Sequence, residues 1–229
     1  MNLSKPQFIT FEGGEGCGKS TQSKLLHEYL LSKNIPAIHT REIGGTVEAE
    51  KIRHLIIYSE LKPMSELMLV MAARYEHINK VIIPSLIEGK WVICDRFIDS
   101  TACYQSDESG LNIEDIYELH ETLMTYRPDA FDKISESKLD VHKLSTRGIM
   151  PDMTFFMDVR PEIGLNRATE RGDANKFEAK KIDFHNKIYQ RFKTVASIYN
   201  ERIVSIDAGD KSIDEIQQFI RGRIFTRER

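Results

Sequence analysis

One eight-residue segment limits what this chain can fold into more than any other part of the sequence. Residues 13–20 read GGEGCGKS and match the pattern Gly-x-x-x-x-Gly-Lys-Ser/Thr at every fixed position. A short β-rich run precedes the segment and residues with helical periodicity follow it, which is the context of a phosphate-binding loop. Glycines let backbone N–H groups point at a phosphate, and the helix N-terminus adds about half a positive charge. The segment therefore predicts a nucleotide-binding P-loop.

The polar side chains of this loop have separate expected roles. We expect Lys19 to act as a catalytic residue that bridges the β- and γ-phosphates, and the Ser20 hydroxyl to ligate Mg²⁺. A triphosphate would repel the carboxylate of Glu15, so we expect this side chain to meet a neutral donor such as a sugar hydroxyl or, alternatively, solvent. The expected cofactor-binding residues are Gly13, Gly14, Glu15, Gly16, Cys17, Gly18, Lys19, Ser20 and Thr21. The loop indicates a nucleotide and Mg²⁺ but does not specify the reaction.

The composition excludes several other classes of protein. The chain has 229 residues, 41% hydrophobic and 29% charged, which is typical of a single globular domain covering residues 1–229. A formal net charge of −3 argues against a general nucleic-acid binder. The longest apolar run, residues 67–73, is far shorter than the ~20 residues that span a bilayer, so we expect no membrane partner. The N-terminus shows no secretory signal and the three cysteines have no paired spacing, so we expect a cytoplasmic location.

Strand-like and helix-like segments alternate along the chain. Continuous apolar runs such as residues 91–94 are typical of strands buried on both faces of a parallel sheet. The predicted strands are residues 8–12, 35–40, 91–94, 154–157 and 203–206. The predicted helices are residues 19–31, 46–59, 63–88 (kinked or split by Pro84), 113–125, 161–171, 176–200 and 213–225. This order predicts an α/β protein with the three-layer P-loop NTPase fold, in which helices cover both faces of a mostly parallel five-stranded sheet.

Residues 126–147 do not fit this alternation, because they are polar and have poor periodicity. We interpret them as a surface insertion before the strand at 154–157, since the entropy of loop closure rises only with the logarithm of loop length. A catalytic lid is the alternative, because long loops are often functional.

Arginines and a carboxylate after the P-loop suggest a second, anionic substrate. Ligands of doubly wound sheets bind at the carboxyl ends of the strands, where Asp95 and Arg96 follow the run at 91–94. Asp95 has the place of the metal-linked carboxylate of P-loop enzymes, and the planar fork of Arg96 suits a phosphate. The other candidates are Arg41, Arg53 and Arg74. Each arginine has a solvated surface charge as its alternative.

Five blocks of sequence occur together along the chain, namely FEGGEGCGKSTQ, TREIGGT, MAAR, WVICDRFIDSTACYQ and PDMTFFMDV. In this order they resemble the bacterial thymidylate kinases over nearly the whole chain except the insertion. The most specific part is DR followed by ST-x-x-YQ in combination with TRE-x-GGT. The resemblance implies a homodimer that phosphorylates dTMP to dTDP with ATP as the donor and Mg²⁺ as the metal.

The resemblance also implies roles for single residues. Glu15 would reach the 3′-hydroxyl of the acceptor sugar, and Arg74 and Arg96 would hold the dTMP phosphate, with help from Arg53. Asp95 would act near the metal or the acceptor phosphate, so that Asp95 and Arg96 count as catalytic. The residues expected to line the thymine and deoxyribose pocket are Thr101, Tyr104 and Gln105.

Three positions depart from the family pattern. The family usually has Pro at the place of Ile43, so the turn that Pro favours is in question. Phe often stacks on thymine at the place of Val70, which would offer a smaller apolar contact. Cys103 replaces the usual Ala, a minor change.

Residues 166–187 form the expected lid region. Bacterial members without a P-loop arginine supply lid cations, and this P-loop has no arginine. Arg171 is the expected catalytic cation, because a cation near the transferring phosphoryl group stabilises its charge. The other candidates in the lid are Arg167, Lys176, Lys180 and Lys181, while Glu178 could assist the metal or the lid. A solvated helix face is the alternative. Adenine is expected between the first turn of the lid and residues 207–208.

Other functions remain open from the sequence alone. A nucleoside monophosphate kinase of another specificity is the nearest, because Ile43 and Val70 depart from the pattern. A P-loop switch without phosphoryl transfer would lack an acceptor site, against which Arg74, Arg96 and Tyr104 argue. A catalytically impaired homologue is the third alternative.

Overall fold

Five strands form one sheet in which every neighbouring pair is parallel. The structure, a computed structural model, describes residues 5–125, 148–169, 176–177 and 179–225. The strands are β1 (Phe8–Glu12), β2 (Ala37–Arg41), β3 (Trp91–Asp95), β4 (Met153–Asp158) and β5 (Ile203–Asp207). Their order in the sheet is β2-β3-β1-β4-β5, so that β1 and β3 are neighbours although β2 and several helices separate them along the chain.

Helices cover both faces of this sheet. They are α1 (Lys19–Ser32), α2 (Val47–Tyr58), α3 (Pro63–His77), α4 (Ile83–Ile87), α5 (Ile98–Gln105), α6 (Ile113–Met124), α7 (Pro161–Thr169), α8 (Ile182–Ile198) and α9 (Ile213–Phe225). A π-helical segment, Ile78–Ile82, joins α3 to α4. The expected α/β fold with a five-stranded sheet between helical layers is confirmed.

Side chains alternate between two cores along each central strand. On one face, Phe8 and Phe156 pack with α3, α5, α6 and α8. On the other face, Ile9 and Phe155 pack with α1 and α9. Because both faces are buried, the central strands are apolar at nearly every position, which explains their continuous hydrophobic runs.

Three helical predictions differ from the structure. The helix predicted over 176–200 is shorter, because α8 begins only at Ile182 and ends at Ile198. The segment predicted as one helix over 63–88 consists of α3, the π-helical segment and α4, with Pro84 in the first turn of α4, where its missing N–H is tolerated. Helix α5 was missing from the sequence prediction. All eight residues of α5 are buried, so it has no polar face and no amphipathic period to reveal it.

The carboxyl ends of β1 and β3 meet at one edge of the sheet, with Phe11 paired to Asp95. The P-loop leaves β1 there, and Asp95 and Arg96 end β3 at the same edge. The inserted segment 126–147 lies outside the described residues. Among the residues that are described, no helix has the length and apolar character to cross a bilayer.

Candidate active site

The P-loop wraps the N-terminus of α1 in a backbone path that needs glycine. Gly18 precedes the helix in a left-handed conformation with φ of 95°. Gly13 has φ of 139°, and a Cβ atom there would lie 2.9 Å from the Met157 carbonyl oxygen. Gly16 approaches α7 so closely that a Cβ atom would lie 1.8 Å from the Gly164 carbonyl oxygen. A side chain at either position would displace the loop from β4 or α7.

Lys19 and Ser20 lie in the first turn of α1, where phosphates bind. The Lys19 ammonium donates to the Gly14 carbonyl oxygen inside the loop and contacts Cys17 Sγ at 3.4 Å. Ser20 Oγ donates to Asp95 Oδ2, while Asp95 Oδ1 is buried and has no hydrogen-bond partner among the described residues. Thr21 is exposed beside them. A hydroxyl beside an orphaned carboxylate oxygen is a donor set that fits Mg²⁺, which prefers oxygen ligands.

Glu15 points away from solvent toward α5, and its side chain is only 15% exposed. It accepts hydrogen bonds from Arg96 Nη2 at 2.9 Å and from the Tyr104 hydroxyl at 3.0 Å. Burial raises the pKa of Glu15, but Arg96 and Lys19 outweigh it and lower the pKa to about 2. At neutral pH this side chain is therefore an ionised acceptor held at the edge of the P-loop.

Arg96 joins the P-loop to α5. Its Nη1 donates to the Gly13 carbonyl oxygen at 2.9 Å and to Ser100 Oγ at 3.0 Å. Its backbone has φ of 71° and its N–H donates to the Phe11 carbonyl oxygen at 2.9 Å. This left-handed conformation is uncommon for an arginine and turns the side chain back over the loop.

Two further arginines face the same space but differ in their partners. Arg53 donates to the Ile43 carbonyl oxygen at 3.3 Å, and no ion pair joins it to a described carboxylate. Burial and the neighbouring charge of Arg41 lower the pKa of Arg53. Arg74 is 2% exposed and forms a 2.8 Å ion pair with Glu42. Arg53 is thus the less neutralised of the two.

These side chains surround one open cleft of about 680 Å³, a volume that includes space continuous with solvent. One wall is apolar and contains Ile56, Ile57 and Val70. The opposite wall belongs to α5, where Thr101 Oγ1 accepts a 2.7 Å hydrogen bond from Arg74 Nη2. The other expected acceptor residues that line the pocket are Glu15, Arg53, Arg96, Tyr104 and Gln105. The peptide bond between Glu42 and Ile43 at its rim is cis.

Part of the lid region contributes to the lining of this pocket. Phe177 lines it and packs edge-on against Tyr104, with ring centroids 5.8 Å apart. Lys176 forms a 2.6 Å ion pair with Glu66, which also accepts a hydrogen bond from Gln105 at 3.2 Å. Lys176 is therefore bound to α3 rather than directed at the P-loop.

Arg167 lies on α7, beside the loop that follows β5. Its Nη2 donates to the Gly209 carbonyl oxygen at 2.7 Å, so that α7 holds the loop after β5, where adenine was expected. Lys180 lies 6.0 Å from the centre of the Phe184 ring, and Lys181 precedes α8. Arg171 and Glu178 lie outside the described residues.

Several polar residues of the site were missed in the sequence. Glu12, Glu42 and Ser100 are all buried and bind the arginines or their neighbours. The sequence contained one sign that Glu12 has a specific partner, namely its place at the end of an apolar strand, since a buried charge needs a partner. No neighbouring residue in the sequence indicated a role for Glu42, because its partner Arg74 lies 32 residues further along the chain.

Comparisons of the sequence and the structure with known proteins show the family to which the chain is related. A family model described as thymidylate kinase matches residues 11–138 and 130–220. The chain belongs to the thymidylate kinase family. It is 48% identical to the thymidylate kinase of Rickettsia africae (strain ESF-5) over 220 residues, which cover 96% of this chain and 98% of that protein. It is also 48% identical to the enzyme of Rickettsia bellii (strain RML369-C), over 96% of both chains.

A solved member of the family has the same architecture. The crystal structure of thymidylate kinase from Ehrlichia chaffeensis superposes with a TM-score of 0.70 at 30% identity and covers 96% of this chain and 99% of that chain. As a member of the thymidylate kinase family, the chain phosphorylates dTMP to dTDP with ATP as the donor. The resemblance noted in the sequence is confirmed.

Proposed function

We propose that dTMP binds in the pocket between α2, α3 and α5, with its phosphate beside the P-loop and its base against α3. The observation that carries this proposal is the convergence of Arg53, Arg74 and Arg96 on one pocket that Glu15 borders. The two ion-paired arginines of the pocket have different surroundings. Arg96, paired with Glu15, donates to the P-loop at the Gly13 carbonyl oxygen. Arg74, paired with Glu42, instead lies on α3 with Val70.

Arg96 and Arg53 are the proposed ligands of the dTMP phosphate. Arg96 lies at the P-loop and presents a planar fork, and Arg53 has only a carbonyl oxygen as its hydrogen-bond partner among the described residues. Arg74 was expected at the phosphate from the family resemblance. Arg74 and Arg96 are both ion-paired, but the Arg74 side chain is 1% exposed and the Arg96 side chain is 19% exposed. We therefore assign Arg74 to the base, for which it and Thr101 supply polar groups. Val70 offers the base an apolar contact in the same wall.

Glu15 is the proposed acceptor for the 3′-hydroxyl of the sugar. Its low pKa keeps it ionised, and an ionised carboxylate accepts strongly from a hydroxyl. Tyr104 holds it in place by a hydrogen bond and lines the sugar end of the pocket with Gln105. This arrangement explains why a carboxylate is tolerated in a P-loop.

ATP is the donor, and we propose that its phosphates bind residues 13–21 at the N-terminus of α1. Ser20 and Asp95 would hold Mg²⁺, which neutralises phosphate charge when bound. Lys19 would exchange its contact with the Gly14 carbonyl oxygen for the β- and γ-phosphates. Arg171 remains the proposed lid cation at the transferring group.

The proposed transfer is in-line. The bond between the γ-phosphorus and the bridging oxygen of ATP breaks, and a bond forms to a phosphate oxygen of dTMP. That oxygen is already anionic near neutral pH, so no strong general base is needed. Lys19 and Arg96 neutralise charge on opposite sides of the transferring group, and Phe177 helps to exclude water. Positioning and charge neutralisation therefore provide the catalysis.

An ADP-release assay with ATP and four acceptors tests the assignment. We expect turnover with dTMP to exceed turnover with dUMP, AMP and CMP by at least about tenfold in kcat/KM, because a buried, partly polar pocket discriminates by about 1–3 kcal/mol or more. Preference for another monophosphate would overturn the acceptor assignment. ATP binding without any transfer would overturn the proposed kinase mechanism.

We further propose that the protein is a homodimer through α2 and α3. Exposed apolar side chains gather there, where Val47 is 69%, Tyr58 is 74% and Met68 is 66% exposed. Large exposed apolar patches mark interaction surfaces. Analytical ultracentrifugation should give a molecular mass of about twice the 26.4 kDa of one chain. Met68→Glu should shift it toward the monomer, and a wild-type monomer would contradict the proposal.

A cytoplasmic location is also proposed. It is supported by Cys17, Cys94 and Cys103, which are all free thiols buried in the fold.

A further inference from the structure

Glu12 is a buried carboxyl group that the phosphoryl-transfer mechanism does not use. It is the last residue of β1 and is 1% exposed. Its Oε1 accepts a hydrogen bond from the Phe97 backbone N–H at 2.7 Å, and its Oε2 accepts one from Ser100 Oγ. Isolated carboxyl groups are costly to bury, so two specific partners in one helix turn indicate a defined task.

Each of the two partners of Glu12 is linked directly to Arg96. Phe97 follows Arg96 directly and precedes α5, and its own side chain cannot cap the helix. Glu12, on the neighbouring strand, instead accepts from the N–H of Phe97 itself, one of the N–H groups that the start of α5 leaves without a partner in the helix. Ser100 Oγ, which Glu12 binds, in turn accepts the 3.0 Å hydrogen bond from Arg96 Nη1. Glu12 therefore restrains Arg96 at its backbone and at its guanidinium.

We propose that Glu12 is a positioning residue that sets Arg96 on the acceptor phosphate through Phe97 and Ser100. The inference rests on the proposed function, in which Arg96 binds the dTMP phosphate. Arg96 needs such support, because its left-handed backbone, with φ of 71°, is costly for a residue with a side chain. Glu12 touches neither substrate in this arrangement and acts only through its two partners.

Glutamine is the conservative replacement for this side chain. Burial and the nearby Asp99 raise the pKa of Glu12 to about 8, so the neutral acid is the main form at pH 7. In that form the carboxyl O–H donates to Ser100 Oγ, whereas the ionised form accepts from it; the amide introduced by Glu12→Gln has the shape of the neutral form and the same donor. Its carbonyl oxygen can accept from Phe97 N–H and its NH₂ can donate to Ser100 Oγ.

Steady-state kinetics with dTMP and ATP varied separately test the proposal. We expect Glu12→Ala to raise KM for dTMP by about ten- to a hundredfold, with KM for ATP within about threefold, because one charge-assisted contact to phosphate is misplaced. Glu12→Gln should keep KM for dTMP within about threefold of wild type. Ser100→Ala removes only the side-chain link and should raise KM for dTMP by about three- to tenfold. If Glu12→Ala does not fold, the KM for dTMP of Ser100→Ala still tests the proposal.

Gln217→Ala is the matched control. Gln217 is likewise buried but lies on α9, and its partner Gln22 lies on α1, outside the pocket. We expect this variant to lose stability while KM for dTMP stays within about twofold. An unchanged KM for dTMP in Ser100→Ala and Glu12→Ala, or equal rises for dTMP and ATP, would overturn the inference. Failure of wild type to phosphorylate dTMP would instead overturn the proposed function.

Discussion

Lysine in place of Arg96 lowers kcat/KM for dTMP by about a hundredfold, while KM for ATP changes by less than about threefold. Arg96 uses two terminal nitrogens for Gly13, Ser100 and Glu15, and its planar fork still has N–H groups to offer a phosphate. A lysine ammonium keeps the charge but has one nitrogen, so it cannot hold the loop and the substrate together. The measurement is initial rate against dTMP concentration at saturating ATP.

A lysine at Arg221 is the control for this substitution. Arg221 lies on α9 and its guanidinium stacks 4.2 Å from the centre of the Tyr29 ring, away from the acceptor pocket. We expect Arg221→Lys to leave kcat/KM for dTMP within about twofold. If Arg96→Lys behaves in the same way as this control, Arg96 does not bind the acceptor phosphate.

Glutamine in place of Glu42 destabilises the protein by about 3–5 kcal/mol. The Glu42 carboxylate pairs with Arg74 at 2.8 Å and with His77 at 3.0 Å, and all three side chains are buried. Removing the negative charge leaves the Arg74 guanidinium uncompensated in a site where water cannot reach it. Urea denaturation followed by the fluorescence of Trp91, the single tryptophan of the chain, measures the loss.

Two further variants separate the buried pair from ordinary surface charge. Glu50→Gln breaks the exposed Arg41–Glu50 pair and should cost less than about 1 kcal/mol. Adding Arg74→Met to Glu42→Gln removes the unpaired charge and should recover at least about half of the loss, although it also removes a pocket residue. Equal losses for Glu42→Gln and Glu50→Gln would contradict the prediction.

The contribution of Glu42 also depends on pH in a defined direction. Burial alone would raise the pKa of Glu42, but Arg74 and His77 hold it below its usual value of 4.5. A carboxyl group with a lowered pKa stabilises the fold above its unfolded pKa and loses this contribution as pH falls below it. The difference in unfolding free energy between wild type and Glu42→Gln should therefore be full above about pH 4.5 and shrink in more acidic solution.

Parts of this protein that depend on neighbours in the chain were readable from the sequence. The P-loop is contiguous, so its glycines, Lys19 and Ser20 identify it without a fold. The buried strands are continuous apolar runs, and their alternation with helices was enough to predict the parallel sheet. The position of Asp95 at the end of β3 was predictable because it follows one of these apolar runs.

The partners of the arginines were decided by tertiary contacts. Arg53, Arg74 and Arg96 are the same residue type in the sequence, yet Arg74 pairs with Glu42, Arg96 pairs with Glu15, and Arg53 donates to the Ile43 carbonyl oxygen. Lys176, a candidate cation for the donor phosphates, forms an ion pair with Glu66, which lies 110 residues away in the sequence. Neither helix α5 nor the contacts by which Glu12 supports Arg96 could be predicted from the sequence.

The sequence by itself determined the sheet, the phosphate loop and the family, because these follow from local pattern and backbone geometry. Only the tertiary structure decided which charges are paired and which are available to a substrate. Electrostatic energy depends on distance and burial, and both arise when residues far apart in the chain are packed together.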